Sequence, residues 1–271
     1  MLLRYFVHTG YCGTNYKGWQ RQPGVTTVQE VLENAFRTVL EQSIACIGCG
    51  RTDAGVHASQ YFFHFDCIEP LPQNLVFVIN KVLPNDIAIF DIIAVEGYPH
   101  AQYSATQRTY DYFIHTQKDP FLSPLSALYF LPQLNFEAMS KATSLLLAYE
   151  NFSAFSRSPL KNKSNLCTIE SALLFTNERN DRLRFQIKSK RFLQGMVRLI
   201  VQRLIDVGTG EISIMEFETY LAGTVLPKKV QAAYPQGLYL SKVIYPFLNL
   251  SEIRRDEDSF CLQSSSRWII I

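Results

Sequence analysis

The side chains best suited to chemistry sit in one short stretch, Gly48-Cys49-Gly50-Arg51-Thr52-Asp53-Ala54-Gly55-Val56-His57-Ala58. A guanidinium, a carboxylate and an imidazole, groups that bind anions and exchange protons, fall between two apolar runs, Ile44 to Ile47 and Tyr61 to Phe65. Glycines at 48, 50 and 55 allow tight turning and close approach of other backbone. Charge on such a turn between two buried strands marks a candidate site. The plainer alternative is an Arg51–Asp53 ion pair that pins the turn.

A second anomaly is Arg198. It lies in a run, Phe192 to Val207, that is apolar nearly all round and reads as a buried helix. A buried guanidinium needs a carboxylate or other partner, and Asp53 is one candidate. Snorkelling to the surface is the simpler reading of the residue itself. Tyr110 and Tyr112 share a strand face with Arg108, and Tyr110 offers a ring on which a base can stack; Tyr112 reads as core. Basic residues gather at Lys17 and Arg21, Lys161 and Lys163, Lys188, Lys190 and Arg191, and Lys228 and Lys229, where phosphates could be held. His57, His64 and Asp66 match no common metal spacing, so partly buried histidines are the simpler reading. Cys46-x-x-Cys49 lacks the helix start of a redox motif and the second pair of a zinc site.

These residues must be positioned by regular elements. Strands are expected at Leu2–Thr9, Ile44–Ile47, Gln60–Asp66 and Asp86–Val95. A helix should follow the Thr27/Glu30 capping box, and a shorter one should open at Pro72. The second half repeats this order. Strands are expected at Arg108–Thr116, Leu166–Thr176, Leu183–Ser189 and Gly237–Tyr245, with a short one at Leu128–Leu131. Helices are expected at Asn135–Ala148 and Phe192–Val207, with an extra one opened by the Ser213/Glu216 box. Two β-α-β-β-α-β units predict an α+β protein of two ferredoxin-like domains with antiparallel sheets, helices on one face and a cleft between them. The expected boundaries are 1–105, 106–246 and a polar tail, 247–271, that includes Arg254–Asp258 and ends in Trp268-Ile269-Ile270-Ile271.

The 271 residues are 47% hydrophobic, enough for a sizeable core and against disorder. A net charge of +2 excludes a uniformly basic nucleic-acid binder but leaves room for local basic patches. Charges interrupt every apolar run, so no membrane span is expected. The N-terminal stretch lacks the order of a signal peptide, and the expected location is the cytoplasm.

Gly50-Arg51-Thr52-Asp53-Ala54-Gly55-Val56-His57-Ala58 resembles the signature of the TruA-type tRNA pseudouridine synthases. The resemblance extends in order through Tyr11-x-Gly13-x-x-Tyr16-x-Gly18-Trp19-Gln20, Leu83-Pro84-x-Asp86-Ile87 and Arg108-x-Tyr110-x-Tyr112. It continues through Asn151-Phe152-Ser153-x-Phe155, Phe192-Leu193-x-x-Met196-Val197-Arg198 and Gly237-Leu238, covering residues 1 to about 246. It implies isomerisation of uridine to pseudouridine at positions 38, 39 and 40 of the tRNA anticodon stem-loop. It further implies Asp53 as catalytic carboxylate, Arg51 as the signature arginine and Arg198 as the partner of Asp53. Tyr110 would stack on the target base, with Arg108 and Leu238 at the substrate. A homodimer with tRNA as partner, and neither metal nor organic cofactor, is also implied. The chain departs from the family pattern at Cys12, at Gln194-Gly195, at Gln202 and at Tyr234-Pro235. Gly195 reads as an interior helix glycine costing about 1 kcal/mol. Two other classes stay open: a non-catalytic tRNA-binding or chaperone protein on the same fold, and a metal-dependent hydrolase built on His57, His64 and Asp66.

Overall fold

A computed structural model describes residues 2–131, 133–227, 231–249 and 268–271. Lys228, Lys229 and the charged stretch Arg254–Asp258 lie outside the described residues. The protein is mixed α+β, its strands pairing mostly antiparallel, and it divides into two compact units. Among the described residues, one unit takes 2–106 and 239–249, and the other takes Gln107–Leu238 and 268–271.

In the first unit, β1 (Leu3–Tyr11) lies between β3 (His57–Cys67) and β4 (Ile87–Val95), antiparallel to both. The short β2 (Ile47–Gly48) pairs with β3 on its other side, so these strands run β4-β1-β3-β2. Helix α1 (Val28–Leu40) starts where the Thr27 side chain accepts a hydrogen bond from the Glu30 N–H at 3.4 Å, as the capping box predicts. It buries Val28, Leu32, Ala35 and Phe36. Each large apolar side chain buried this way contributes about 1.5–3 kcal/mol. Helix α2 (Leu75–Val82) buries only Leu75 and Ile79.

The expected strand over Ile44–Ile47 is a correction. Only Ile47 and Gly48 are strand. Cys46 is buried, but its N–H donates to Glu33 Oε1 at 3.1 Å and its carbonyl accepts from Gln29 Nε2 at 3.0 Å. Side chains of α1 thus satisfy the groups a strand ladder would have used.

In the second unit, β5 (Gln107–His115) pairs antiparallel with β8 (Arg182–Ser189), and β8 with β7 (Ile169–Thr176). The two-residue β6 (Ala127–Leu128) runs parallel to β5 and is shorter than expected. The helices are α3 (Phe136–Leu145), α4 (Met196–Thr209) and α5 (Ile214–Leu221). Asn135 caps α3 through Ala138 N–H, and Ser213 caps α5 through Glu216 N–H. The chain's last residues form β10 (Ile269–Ile270), antiparallel to the outer edge of β7, and Ser140 Oγ donates to Ile271 O at 2.9 Å.

Helix α4 begins four residues later than expected. Gly195 is its N-cap with φ +73°, a left-handed turn rather than a helical interior. A Cβ there would meet Arg157 Cγ at 2.9 Å. Gly208, expected as the helix end, lies inside α4, where a Cβ would strike Met139 Sδ at 2.5 Å; Gly210, φ +78°, is the cap. Gln202 does not disturb the helix, because its Nε2 donates to Asp206 Oδ1 at 2.8 Å.

Strand β9 (Leu238–Ile244) forms where the closing strand was expected, at Gly237–Tyr245. Its residues Tyr239 and Leu240 pair parallel with His57 and Ala58 of β3. Tyr239 stacks on His57 at 4.5 Å, Thr106 N–H donates to Ile244 O at 2.9 Å, and Val243 N–H donates to Gln60 Oε1 at 2.8 Å. The buried Tyr245 ring meets Phe6 and Phe62 edge-on at 5.3 and 5.4 Å.

Candidate functional site

Asp53 sits half-buried in the loop from Cys49 to Val56, which joins β2 to β3. The loop is held by backbone and hydroxyl contacts from the Tyr11–Trp19 segment. Trp19 N–H donates to Thr52 O at 3.2 Å, Gly55 N–H donates to Tyr16 O at 3.1 Å, and the Tyr11 and Thr52 hydroxyls are 2.9 Å apart. From below, the Tyr61 hydroxyl donates to Gly50 O at 2.5 Å, and Cys49 N–H donates to Phe62 O at 2.8 Å. Asp53 O closes the turn by accepting from Val56 N–H at 3.2 Å. Thr52 on one side of the carboxylate and Gly55 and Val56 on the other are therefore anchored.

Glycines make that close approach possible. A Cβ on Gly18 would lie 2.4 Å from Thr52 O, and one on Gly13 would lie 1.9 Å from Val56 O. Gly18 also has φ +87°, which L-residues rarely adopt. Beneath the loop, Trp19 stacks on Tyr61 at 4.2 Å, and both rings are buried. Burial, the largest cause, pushes the Tyr61 phenol well above its ordinary value, so it stays a neutral donor. Tyr16 is likewise pushed up, by burial first and then by its bond to Asp86 Oδ1. Cys12 is held through its backbone, its N–H donating to Asp86 O at 2.8 Å, and its thiol lies 3.3 Å from the Thr14 hydroxyl.

The other expected site residues are distributed as follows. Arg51 is exposed on the rim of the same loop. Arg108, Tyr110, Arg198 and Leu238 belong to the second unit. Arg108 and Tyr110 lie on one face of β5, both half-buried. Arg108 Nη1 donates to Lys190 O at 2.6 Å, and the Tyr110 ring meets Phe192 edge-on at 5.1 Å. Tyr112 is core, as its sequence reading has it, and its hydroxyl donates to Tyr234 O at 2.7 Å. Leu238 is buried at the start of β9.

Arg198 corrects the snorkelling expectation. It is 8% exposed, and its Nε donates to Ala233 O at 2.6 Å. The same residue returns a bond, Ala233 N–H to Arg198 O at 3.0 Å. Tyr234 N–H then donates to the Tyr129 hydroxyl at 3.2 Å. Ala233 and Tyr129 were missed by sequence reasoning, because backbone partners 35 residues apart leave no periodic trace.

The hydrolase reading loses its ligand set. His57 Nδ1 accepts from Gly13 N–H at 3.0 Å, His64 Nδ1 accepts from Ala101 N–H at 3.1 Å, and Asp66 pairs with Arg4 at 2.7 Å. Burial first, then Arg4, brings the His64 pKa down to about 4. Among the described residues no cluster of His, Cys, Asp or Glu could hold a metal, and no helix is long and apolar enough to cross a membrane. Of the basic residues, Arg21 pairs with Glu33 at 3.2 Å and Arg191 donates to Ser164 O, while Lys17, Lys161, Lys163 and Lys190 are exposed.

Comparison with known proteins gives a consistent family. Residues 142–246 match the family model described as tRNA pseudouridine synthase. The chain is 38% identical over 248 residues to tRNA pseudouridine synthase A of Porphyromonas gingivalis, covering 90% of this chain and 98% of the relative. It is 41% identical over 247 residues to the protein of the same name from Parabacteroides distasonis, covering 90% and 96%. With that of Thermoanaerobacter pseudethanolicus it shares 39% over 239 residues, covering 87% and 96%. Identity at this level along nearly the full length of both partners places the chain in the tRNA pseudouridine synthase A family.

Proposed function

We propose that this protein isomerises uridine to pseudouridine in the anticodon stem-loop of tRNA, at the three positions the resemblance implies, with Asp53 as the catalytic carboxylate. The observation that carries the reading is the 38–41% identity, over nine-tenths of the chain, to relatives named tRNA pseudouridine synthase A. The anchored loop around Asp53 supports it: a carboxylate that must meet one carbon of a bound nucleotide needs a fixed backbone.

The reaction breaks the bond from C1′ to N1 of uracil, turns the base, and joins C1′ to C5. C5 loses a proton and N1 gains one, so atoms balance and no oxidant or co-reactant is consumed. Asp53 either attacks C1′ as a nucleophile or takes a proton from C2′ as a base. Both routes need its ionised form, and Arg198 is the partner that the resemblance assigns to it. Arg51, exposed two residues away, works on the same nucleotide. The target base leaves its stack, and the Tyr110 ring replaces the lost stacking, worth roughly 1–3 kcal/mol. Arg108 and Leu238 complete the substrate contacts. The strand order β4-β1-β3-β2 with two crossing helices supports a ferredoxin-like first half, with a second such half running to residue 246 and a tail beyond it. The protein works as a homodimer in the cytoplasm, without metal or organic cofactor.

Incubation with unmodified tRNA, tritiated at uracil C5, tests this. Wild type should release tritium to solvent, and Asp53→Asn should bind tRNA but release none. Absence of release by wild type on any tRNA would leave the non-catalytic tRNA-binding reading in its place.

A further inference from the structure

We propose that the loop over residues 156–165 of the second unit is a contact surface for RNA, where lysine and arginine cations hold phosphates and Leu160 packs against a base. The proposal rests on the function above for the identity of its partner, tRNA. The loop is basic throughout: Arg157, Lys161 and Lys163 are exposed, and neither Asp nor Glu occurs between 156 and 165. Arg191 joins it, its Nη2 donating to Ser164 O at 3.2 Å, and brings the exposed Lys190 alongside. The acids of the adjoining chain, Glu150 and Glu170, are engaged by Thr168 and Gln107. The same strip reaches residues proposed for the substrate within this unit. Arg108 Nη1 donates to Lys190 O at 2.6 Å, and the Phe192 ring lies 5.1 Å from that of Tyr110.

At the tip of this loop the fold holds a leucine out in water. Leu160 is 99% exposed, in a single 3-10 turn, Pro159–Lys161. A lone exposed leucine is ordinary on a surface. This one is presented by a braced loop. Asn162 Nδ2 donates to Ser156 Oγ at 3.0 Å and to Asn165 Oδ1 at 2.7 Å. Asn165 Nδ2 donates to Pro159 O at 3.1 Å, and Asn165 O accepts from the N–H of the buried Phe152 at 3.0 Å. The ring of Pro159 fixes one backbone angle of the tip. The leucine is thus set in place before a ligand arrives, and less freedom is lost on binding. An apolar side chain among cations suits a nucleic acid, whose phosphates take the cations while a base takes the leucine. One leucine is too little apolar area to hold a lipid surface, and lysine is depleted at protein interfaces.

Binding of unmodified tRNA, followed by fluorescence anisotropy across a salt series, is the test. Lys161→Gln combined with Lys163→Gln should reduce the slope of log affinity against log salt by about 1.4–1.8, the loss of two phosphate contacts. Leu160→Ala should weaken binding about ten-fold at every salt concentration with the slope unchanged, because the contact it removes carries no charge. A benzophenone amino acid in place of Leu160 should cross-link to the bound tRNA on irradiation. Leu160→Ala at wild-type affinity, or an unchanged slope in the lysine variant, overturns the proposal. Affinity for poly-glutamate or for phosphatidylglycerol vesicles that Leu160→Ala abolishes, with tRNA binding unaltered, assigns the loop to a protein or a membrane and overturns it too. Should Leu160→Ala fail to fold, the cross-link decides, and its absence from bound tRNA is refutation. Wild type that binds tRNA with these dependences but releases no tritium defeats the functional reading and leaves the RNA contact supported.

Discussion

Gly18→Ala tests the idea that backbone contact from the Tyr11–Trp19 segment holds the Asp53 loop in place. The substitution adds one carbon 2.4 Å from Thr52 O, against an ordinary contact of 3.4 Å or more, at a residue with φ +87°. The left-handed backbone costs about 1–2 kcal/mol for an L-residue. Relieving the overlap needs a shift near 1 Å, and overpacking of that kind costs about 1–3 kcal/mol. Together these give a loss of about 2–5 kcal/mol, or a melting temperature lower by roughly 5–15 °C for a chain of this size. The displaced atom is the carbonyl adjoining Asp53, so the carboxylate moves with it. A misplacement of about 1 Å lowers kcat on the order of a hundred-fold, with tRNA affinity largely kept. Gly24→Ala is the control. Gly24 also has a positive φ, +73°, but a Cβ there meets nothing within 4 Å. It should show only the backbone cost, with full turnover. Tritium release and thermal unfolding, measured on both variants, separate the two effects. Unaltered kcat in Gly18→Ala, or an equal loss in Gly24→Ala, would refute the reasoning.

Other outcomes follow from contacts elsewhere. His64 has its folded pKa lowered to about 4, from an ordinary 6.5, chiefly by burial. Its neutral form is the folded form, so its contribution is full above pH 6.5 and is lost as pH falls towards 4, up to about 3 kcal/mol. Urea titrations across that window should show this slope in wild type, and a much flatter one in His64→Asn. Asp66, lowered by its bond to Arg4, adds a loss in the same direction at more acid pH. Removing residues 268–271 uncovers the edge of β7, so the melting temperature should drop and concentration-dependent association should rise in light scattering, while kcat per folded molecule stays unchanged.

Local signals carried much of the reading. Thr27 and Ser213 cap their helices because a side-chain oxygen next to an apolar run needs only the residues beside it. The Asp53 loop was legible for a similar reason: three glycines interrupting two apolar runs leave a turn with charges on it. What failed depended on distant partners. Phe192 and Leu193 continue the apolar period of α4, but the left-handed Gly195, with Arg157 N–H on Gln194 O, holds that stretch out of the helix. Ile44–Ile47 has strand composition, yet the Cys46 backbone is satisfied by Gln29 and Glu33. The burial of Arg198 depends on the Ala233 carbonyl, and nothing about residue 233 by itself announces that. The Tyr11–Trp19 motif was visible as a resemblance, but its role as the brace of the Asp53 loop emerged only from long-range bonds.

The return of the chain at Tyr239 bears on how the protein is made. The first unit leaves the ribosome almost whole at Thr106, but the strand that lies along β3, and the Tyr245 ring against Phe6 and Phe62, come more than 130 residues later. At about 5–20 residues per second, the nascent first half waits roughly 7–27 seconds with that strand edge and those two rings uncovered. A gene cut after residue 106 would freeze the polypeptide in that interval, so the half expressed alone should be recovered mainly as insoluble material, and supplying a peptide spanning 239–249 in trans should restore part of it to solution.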